Sequence, residues 1–278
     1  MQQRDDDAAV VLRNFERVFG RPPNLRNPTT FSEKTIYKMI YDRRPILTRL
    51  ADKLRARDYV AERIGTRYLA ELYQVCRSSA EIDWEKLPQR CAIKTNHGSG
   101  MYILVFDKSA ADVSKLSSQL DQWLGMNFYS QFREWCYRDI EPAIFIEELL
   151  AGADGASADN WKFFTFDGRA EFVRIDVKWA GQPAINSYDR RLNRLNFRRG
   201  PPEAPTDPVF PHDVELMFSL AERLGSGLDF LRVDMYNVDG RIVFGEFTHY
   251  PGAGLDRFHP PEFDELFGSK WRLPQSYE

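Results

Sequence analysis

RVDMYNVDGRIVFGEFTHYPGAG (residues 232–254) places one acid on each arm of an Asp-Gly turn and then breaks into Pro-Gly-Ala-Gly. Apolar and polar residues alternate on both arms, the pattern of strands with one buried face, and Asp-Gly is a strong hairpin signal. A hairpin that only completes a core has little use for Asp234 and Glu246. The register of the two arms therefore decides their role, because one residue of slip turns a whole strand over. A two-residue Asp239-Gly240 turn sets Asp234 against Gly245 and leaves Glu246 on the opposite side. A three-residue loop, Val238-Asp239-Gly240 with Gly240 left-handed, pairs Asp234 with Phe244 and Arg232 with Glu246. The three-residue loop is the expectation. Arg232, Asp234, Glu246 and Thr248 then share one face, with the two acids diagonal neighbours about 7–8 Å apart at their α-carbons, near enough to bridge hard cations. The alternative is a solvated face of ordinary surface ion pairs.

The rest of the chain bounds what such a hairpin can serve. Of 278 residues, 43% are apolar and 14% aromatic, enough for a sizeable core of one large domain or two to three small ones. A net charge of −3 argues against a nucleic-acid partner, whose electrostatic footprint is basic. Cys76, Cys91 and Cys136 are odd in number, far apart and without metal spacing, which reads as a reduced, cytoplasmic protein. The opening MQQRDDDAAVVLRNF carries an acidic run and no apolar signal segment, and no stretch of ~18 apolar residues suggests a membrane span.

Residues 1–75 read as mostly helical. Thr30 with Glu33 forms a capping box after a Pro/Asn-punctuated loop. ILTRLADKLRARDYVAERIG (46–65) reads as one helix with Leu47, Leu50, Leu54 and Ala61 on a stripe, ended by Gly65. Strand, loop and strand follow in CAIK, TNHGSG and MYILVF. A helix at about 110–126 shows Val113, Leu116, Leu120, Trp123 and Leu124 on one face. AIFIEELL (143–150) reads as a buried strand running into Ala/Gly/Asp residues. WKFFTFDGRAEFVRIDVKW (161–179) is a hairpin about Asp167-Gly168. A proline-rich connector (200–211) leads to a helix at about 212–226 bearing Val214, Met217, Leu220 and Leu224. Helices first, then antiparallel strand pairs with helices between, argue for an α+β fold.

Three further places could carry chemistry. In IKTNHGSG (93–100), a strand-end lysine precedes a Gly-x-Gly loop whose backbone N–H groups can close over phosphate, with Lys94 as a point charge. It lacks both the GxxxxGK[ST] of a P-loop and the strand-to-helix turn of a dinucleotide fingerprint, and a glycine-bearing turn is the plain alternative. FIEELL ends a buried strand in Glu147 and Glu148, where an adenine amino group could find an acceptor and its ring apolar walls; acids emerging at a sheet edge are the alternative. Lys162 and Lys178 bracket the 161–179 hairpin with Asp176 nearby, and Arg190, Arg191, Arg194, Arg198 and Arg199 cluster after it. Such a run is either a solvated face or a mouth that gathers an anionic substrate.

The order of these pieces is more specific than any one. Lysine plus glycine loop, strand ending in Glu, lysine-bearing hairpin, then Asp and Glu-x-Thr before Pro-Gly resembles the ATP-grasp superfamily. More closely, FGRPPNLRNPTTFSEK, LADKLRARDYVAERIG, KTNHGSG, FIEELL, WKFFTFDG, YDRRLNRL and FLRVDMYNVDGRIVFGEFTHYPGAG resemble the TupA-like family, named for teichuronopeptide synthesis, over about residues 19–258. The resemblance implies an ATP-grasp fold in which two α+β subdomains clasp ATP: a mainly helical region at 1–88, a small subdomain at 89–150 and a large one at 151–278. It implies that Lys94, Asn96, His97, Gly98, Ser99 and Gly100 hold phosphates, and that Glu147, Glu148 and Leu149 hold adenine. Lys162 becomes a further ATP ligand, and Asp234, Glu246 and Thr248 hold Mg²⁺. The superfamily usually carries Glu-x-Asn where this chain has Glu246-Phe247-Thr248, so a weaker hydroxyl ligand replaces an amide oxygen. Arg232 and Lys94 become the catalytic cations, and Asp176, Lys178, Arg190 and Arg194 the substrate contacts. The implied reaction joins an amino acid to a uronic-acid carboxyl through an acyl phosphate, in surface polysaccharide synthesis. A sugar or small-molecule kinase on the same scaffold, or a non-catalytic nucleotide-binding module, are the alternatives. The oligomeric state, a homo-oligomer included, is left open.

Overall fold

The computed structural model describes residues 2–151 and 158–277; the Gly/Asp-rich stretch expected after the 143–150 strand lies, from 152 to 157, outside the described residues. Four helices come first: α1 (Gln2–Phe19), α2 (Phe31–Tyr41), α3 (Pro45–Ala51) and α4 (Lys53–Arg63). β1 (Leu72–Cys76), β2 (Cys91–Thr95), β3 (Tyr102–Val105), α5 (Val113–Leu124), α6 (Tyr129–Phe132) and β4 (Ile144–Glu147) follow. Then come β5 (Asn160–Phe166), β6 (Arg169–Trp179), β7 (Gln182–Asp189), α7 (Val214–Gly225), β8 (Phe230–Val238), β9 (Arg241–Thr248) and α8 (Glu262–Lys270). The strands form two sheets, β1-β4-β2-β3 and β7-β6-β5-β8-β9, antiparallel throughout. The expected α+β architecture is observed. Among the described residues no helix is long and apolar enough to cross a membrane.

Side-chain parity explains how each sheet is covered. On the small sheet, Ile93, Ile144 and Ile146 point to α5, whose Leu116, Leu120, Trp123 and Leu124 complete that core; Val113, expected on the same stripe, is exposed. On the large sheet, Phe163, Val173, Ile175, Val233 and Met235 pack against Met217, Phe218, Leu220 and Leu224 of α7 and against Tyr59 of α4. The opposite face of that sheet carries an aromatic cluster at one end, Phe31, Phe164, Phe172, Phe230, Phe267 and Trp271 among it. Among the described residues, the remainder of this second face carries Lys162, Arg174, Asp176, Arg232, Asp234 and Glu246.

Local chemistry sets the boundaries. The Thr30–Glu33 capping box forms as expected, and Gly65 follows α4 at φ 105°. Asp167-Gly168 and Asp239-Gly240 take positive φ at both positions, the backbone of a two-residue hairpin turn. The stretch 46–65 is two helices rather than one. Asp52 leaves helical geometry at ψ 107° and its carboxylate accepts from the N–H groups of Leu54 and Arg55, so it caps a new helix instead of continuing the old. The buried stripe of α4 is accordingly Ala56, Tyr59 and Val60, not Leu54 and Ala61. β1 is the second difference: residues 72–76, counted with the helical region, form an edge strand of the small sheet against β4. Its exposed, non-alternating LYQVC gives little apolar signal, and pairing with β4 supplies the strand.

Candidate active site

The β8–β9 hairpin settles its register by a route the sequence did not suggest. Val238 pairs with Arg241 across a two-residue turn, not the three-residue loop, and the ladder runs evenly to Met235 opposite Phe244. Gly245 is then an extra residue, a β-bulge, so that Asp234 stands directly opposite Glu246 and Arg232 opposite Thr248. The four residues do share one face, with the acids as direct partners rather than diagonal neighbours. The bulge also lets Phe244 and Phe247, three residues apart, both enter the α7 core. A side chain at Gly245 would place its Cβ 2.9 Å from the Tyr236 ring and 3.2 Å from the Asp234 carbonyl.

One row crosses the whole large sheet: Ser187, Arg174, Lys162, Asp234 and Glu246 are successive pairing partners on β7, β6, β5, β8 and β9. Directly paired residues lie on one face. Beside the row, Lys162 Nζ lies 2.6 Å from Asp176 Oδ2, and Arg174 Nε donates to Asp176 Oδ1 at 2.9 Å. Arg232 grips Asp234 with two bonds of 2.7 Å and reaches Glu246 at 3.4 Å. Asp234 is fully buried. Burial raises its carboxyl above the usual range, an effect Arg232 and Lys162 offset only in part. Burial acts on Glu246 too, but Lys53, Arg232, Lys162 and Lys94 together outweigh it and hold that carboxyl below its ordinary value.

The small sheet turns Lys94, Tyr102, Phe145 and Glu147 to one face, opposite the α5 core. Lys94 Nζ lies 2.6 Å from Glu147 Oε1, and Arg57 of α4 takes the other oxygen at 3.1 Å. Burial raises the Tyr236 hydroxyl of β8, and the charges of Glu246, Asp234 and Glu147 act in the same direction. Lys53, at the start of α4, joins the two sides: its Nζ donates to the Gly98 carbonyl and lies 4.0 Å from Glu246 Oε2. Burial lowers its ammonium, with Lys94 acting in the same direction. The helix break at Asp52 puts it there. Asp52 accepts from Asn96 Nδ2 at 3.0 Å and the Lys53 N–H donates to the Asn96 carbonyl at 3.2 Å, fastening α4 to the glycine loop.

Other sequence candidates fall elsewhere. Asn96 and His97 are buried and bonded to protein groups, Asn96 to Asp52, Glu141 and Ala143, His97 to the Trp123 carbonyl. Gly98 is packed against Met101 and Phe128, and Ser99 and Gly100 are exposed at the tip of the loop. Glu148 points away from Lys94 into a bidentate pair with Arg241, one arm 2.8 Å, and half-buried Leu149 follows it. Lys178 is exposed two residues beyond Asp176. Arg190 and Arg194 do not join the row. Arg190 lies over Phe218 and bonds Glu215, both on α7 behind the sheet. Arg194 is tied to Asn186, Glu203, Ala204 and Asp207, where it pins the proline-rich connector. Lys53, Arg57, Arg174, Tyr236 and Glu134 are the residues missed. Glu134 is buried, and burial pushes its carboxyl up to about 8, opposed only in part by Arg232.

Two carboxylates face to face, with a hydroxyl at Thr248 on the same face, are hard oxygen donors of the kind Mg²⁺ takes. Asp234 carries burial that its cation partners leave partly uncompensated, which a divalent ion would relieve, so the donor set fits. Among the described residues no group of three or more His, Cys, Asp or Glu gathers, and Mg²⁺ needs only one or two carboxylates when phosphate and water complete its shell.

A family model described as TupA-like ATPgrasp matches residues 33–272. No curated protein matches the chain. Solved structures similar to it include D-alanine–D-alanine ligase from Bacillus anthracis, with TM-score 0.48 and 16% identity over 80% of this chain and 64% of that one. An N5-carboxyaminoimidazole ribonucleotide synthetase in complex with ADP gives TM-score 0.47 and 11% identity over 74% and 46%. L-amino acid ligase from Bacillus licheniformis gives TM-score 0.47 and 10% identity over 86% and 48%. The chain spans less than two thirds of the length of each.

Proposed function

Because the chain belongs to the TupA-like ATP-grasp family, we infer that it is an ATP- and Mg²⁺-dependent carboxylate–amine ligase. The observation that carries the reading is Lys53, bonded to the Gly98 carbonyl of the glycine loop and 4.0 Å from Glu246, where it links that loop to the paired acids Asp234 and Glu246 of the β8–β9 hairpin. Cations on one wall and metal-binding carboxylates on the other are the parts that phosphoryl transfer requires.

In this reading Lys53, Lys94 and the backbone of residues 98–100 hold the ATP phosphates, with Lys162 as a further contact. Glu147 and the backbone near Leu149 hold adenine. Asp234 and Glu246, with Thr248 beside them, hold Mg²⁺, which when bound neutralises charge on the phosphates. A substrate carboxylate oxygen attacks the γ-phosphorus as the bond to ADP breaks, and Arg232 steadies the transferring group. An amine then attacks the acyl carbon, phosphate leaves, and the nitrogen loses a proton. No side chain is needed as a covalent nucleophile, and the three cysteines are all free and buried. The family's link to teichuronopeptide supports a uronic-acid carboxyl and an amino acid as the pair joined, in a surface polysaccharide or its precursor.

Lys94→Ala and Glu246→Ala should each abolish ATP turnover in a protein that still folds; unchanged turnover in both refutes the site. A screen of uronic and amino acids should give acceptor-dependent ADP with equal free phosphate and an amide. ADP with a phosphorylated product would mark a kinase, and no Mg-ATP binding a non-catalytic module.

A further inference from the structure

A second opening lies on the same face of the large sheet as the row of Lys162, Asp234 and Glu246. Its walls are the rings of Phe164, Phe172 and Phe258, and its cations are Arg174, Arg198 and Arg199. The empty space is about 310 Å³ with its open mouth included, of which about 10 Å³ admits the centre of a water-sized group.

Arg199 is the unusual member. It is 5% exposed, lies over the rings of Phe31 and Phe258, and donates through Nη2 to the Pro251 carbonyl at 2.6 Å. Its Nε is buried without a partner. Its nearest acid, Asp256, is 3.5 Å away and 43% exposed. Burial lowers this guanidinium to about 10, against the pull of Asp256 and with Arg174 and Arg232 pushing the same way. Asp256 answers this positive charge only from the solvent side, and the Nε–H stays unpaired. Asp176 serves Lys162 and Arg174 at once, Arg198 is exposed at the mouth, and the one acid on the wall, Glu203, is bonded to Arg194. A buried guanidinium N–H left unmade is costly, and a ligand carboxylate is the group whose oxygens best answer it.

Position tells which carboxylate. Arg174 lies two strands from Asp234 in the same row, about 10 Å at the usual strand spacing. The cavity thus opens over β6 and β7, whereas Arg232 and Asp234 are on β8. We propose that this cavity is a subsite for a second, non-reacting carboxylate, held by Arg199 and Arg174, so that one of the joined substrates presents an acid that the enzyme grips and does not activate. The proposal rests on the ligase reading for what happens at the other end. Two substrates could supply the group: a diacid acceptor, or the amino acid through its own carboxylate.

The test is binding, by calorimetry on the Mg-ADP-loaded protein. The probes are α,ω-dicarboxylates from malonate to azelate against monocarboxylates from acetate to hexanoate, and glycine and glutamate against their amides. A diacid of favoured length should bind at least tenfold more tightly than its monoacid if the acceptor supplies the group; the free amino acid should beat its amide by the same factor if the amine donor does. Arg199→Met and Arg174→Gln should each erase that ratio. The ratio is internal to each variant, so a general loosening of the site cancels, and Arg174→Gln leaves the Arg199–Pro251 bond in place. No acid-dependent advantage in either probe set, or one that survives both substitutions, overturns the subsite. A phosphorylated product in place of an amide would sink the ligase reading and leave the binding result standing.

Discussion

Removing Arg232 should strand a charge that has no route to water. Asp234 is fully buried and receives both of its bonds, each 2.7 Å, from Arg232 Nε and Nη2; Arg232 itself is only 11% exposed. Such a pair differs from a surface ion pair, whose loss is worth about 0–1 kcal/mol. Truncating one partner of a buried pair typically costs about 3–5 kcal/mol, because the remaining ion keeps its desolvation without its counter-charge. Lys162, opposite Asp234 on β5, softens this and points to the lower end of the range. Arg232→Met should therefore lose about 3 kcal/mol in urea unfolding at neutral pH in the presence of EDTA. Asp234→Asn added to it removes both charges and should restore at least half of the loss, a coupling expected only of groups in contact. Mg²⁺ should stabilise Arg232→Met by about 2.7 kcal/mol at a hundred times its dissociation constant, provided the acids bind it. The reasoning fails if Arg232→Met stays within about 1 kcal/mol of the parent, or if the double variant is no more stable than the single one.

Three other expectations follow from the same site. Glu134 is protonated in the fold up to about pH 8, whereas an exposed Glu ionises near 4.5, so its contribution to stability is present at low pH and declines as pH rises between these values. Glu134→Gln should remove that decline, gaining up to roughly 4 kcal/mol at pH 8 relative to pH 4.5 in urea titrations without metal, and a flat difference between the two proteins contradicts it. Gly245→Ala should cost about 1–3 kcal/mol and perturb tyrosine near-UV dichroism, because its Cβ would press the Tyr236 ring at 2.9 Å; a parent-like spectrum and midpoint would mean the bulge has room. Lys53→Met should leave folding stability unchanged or higher, since it removes a desolvated ammonium, while weakening Mg-ATP at least tenfold by calorimetry; intact affinity would remove Lys53 from the site.

The sequence disclosed those features that rest on local chemistry. Hairpins marked by Asp-Gly, the Thr30–Glu33 cap and the apolar stripe of α7 each reflect forces acting within a few residues. The bulge did not show, because Phe244-Gly245-Glu246-Phe247 differs from a regular strand only by one glycine, and the core's demand for both phenylalanines is tertiary. Lys53 was hidden by a helical period that runs smoothly through Asp52. The available signal was Asp52 itself, an N-cap residue type directly before Lys-Leu-Arg. The arginine cluster misled because adjacency in sequence says nothing about which side of a sheet is reached. Arg190 goes behind it to α7, Arg194 binds the connector, and Arg198 and Arg199 line the cavity on the cleft side.

The row that crosses the large sheet is ordered by charge: Arg174 and Lys162 toward β7, Asp234 and Glu246 toward β9. In the proposed reading the bare metal cation is drawn to the hairpin edge, and phosphates and acids to the lysine and arginine edge, so cation and anion meet from opposite sides of one cleft. Each sign is tempered by a neighbour of the other, Arg232 at Asp234 and Asp176 at Lys162 and Arg174.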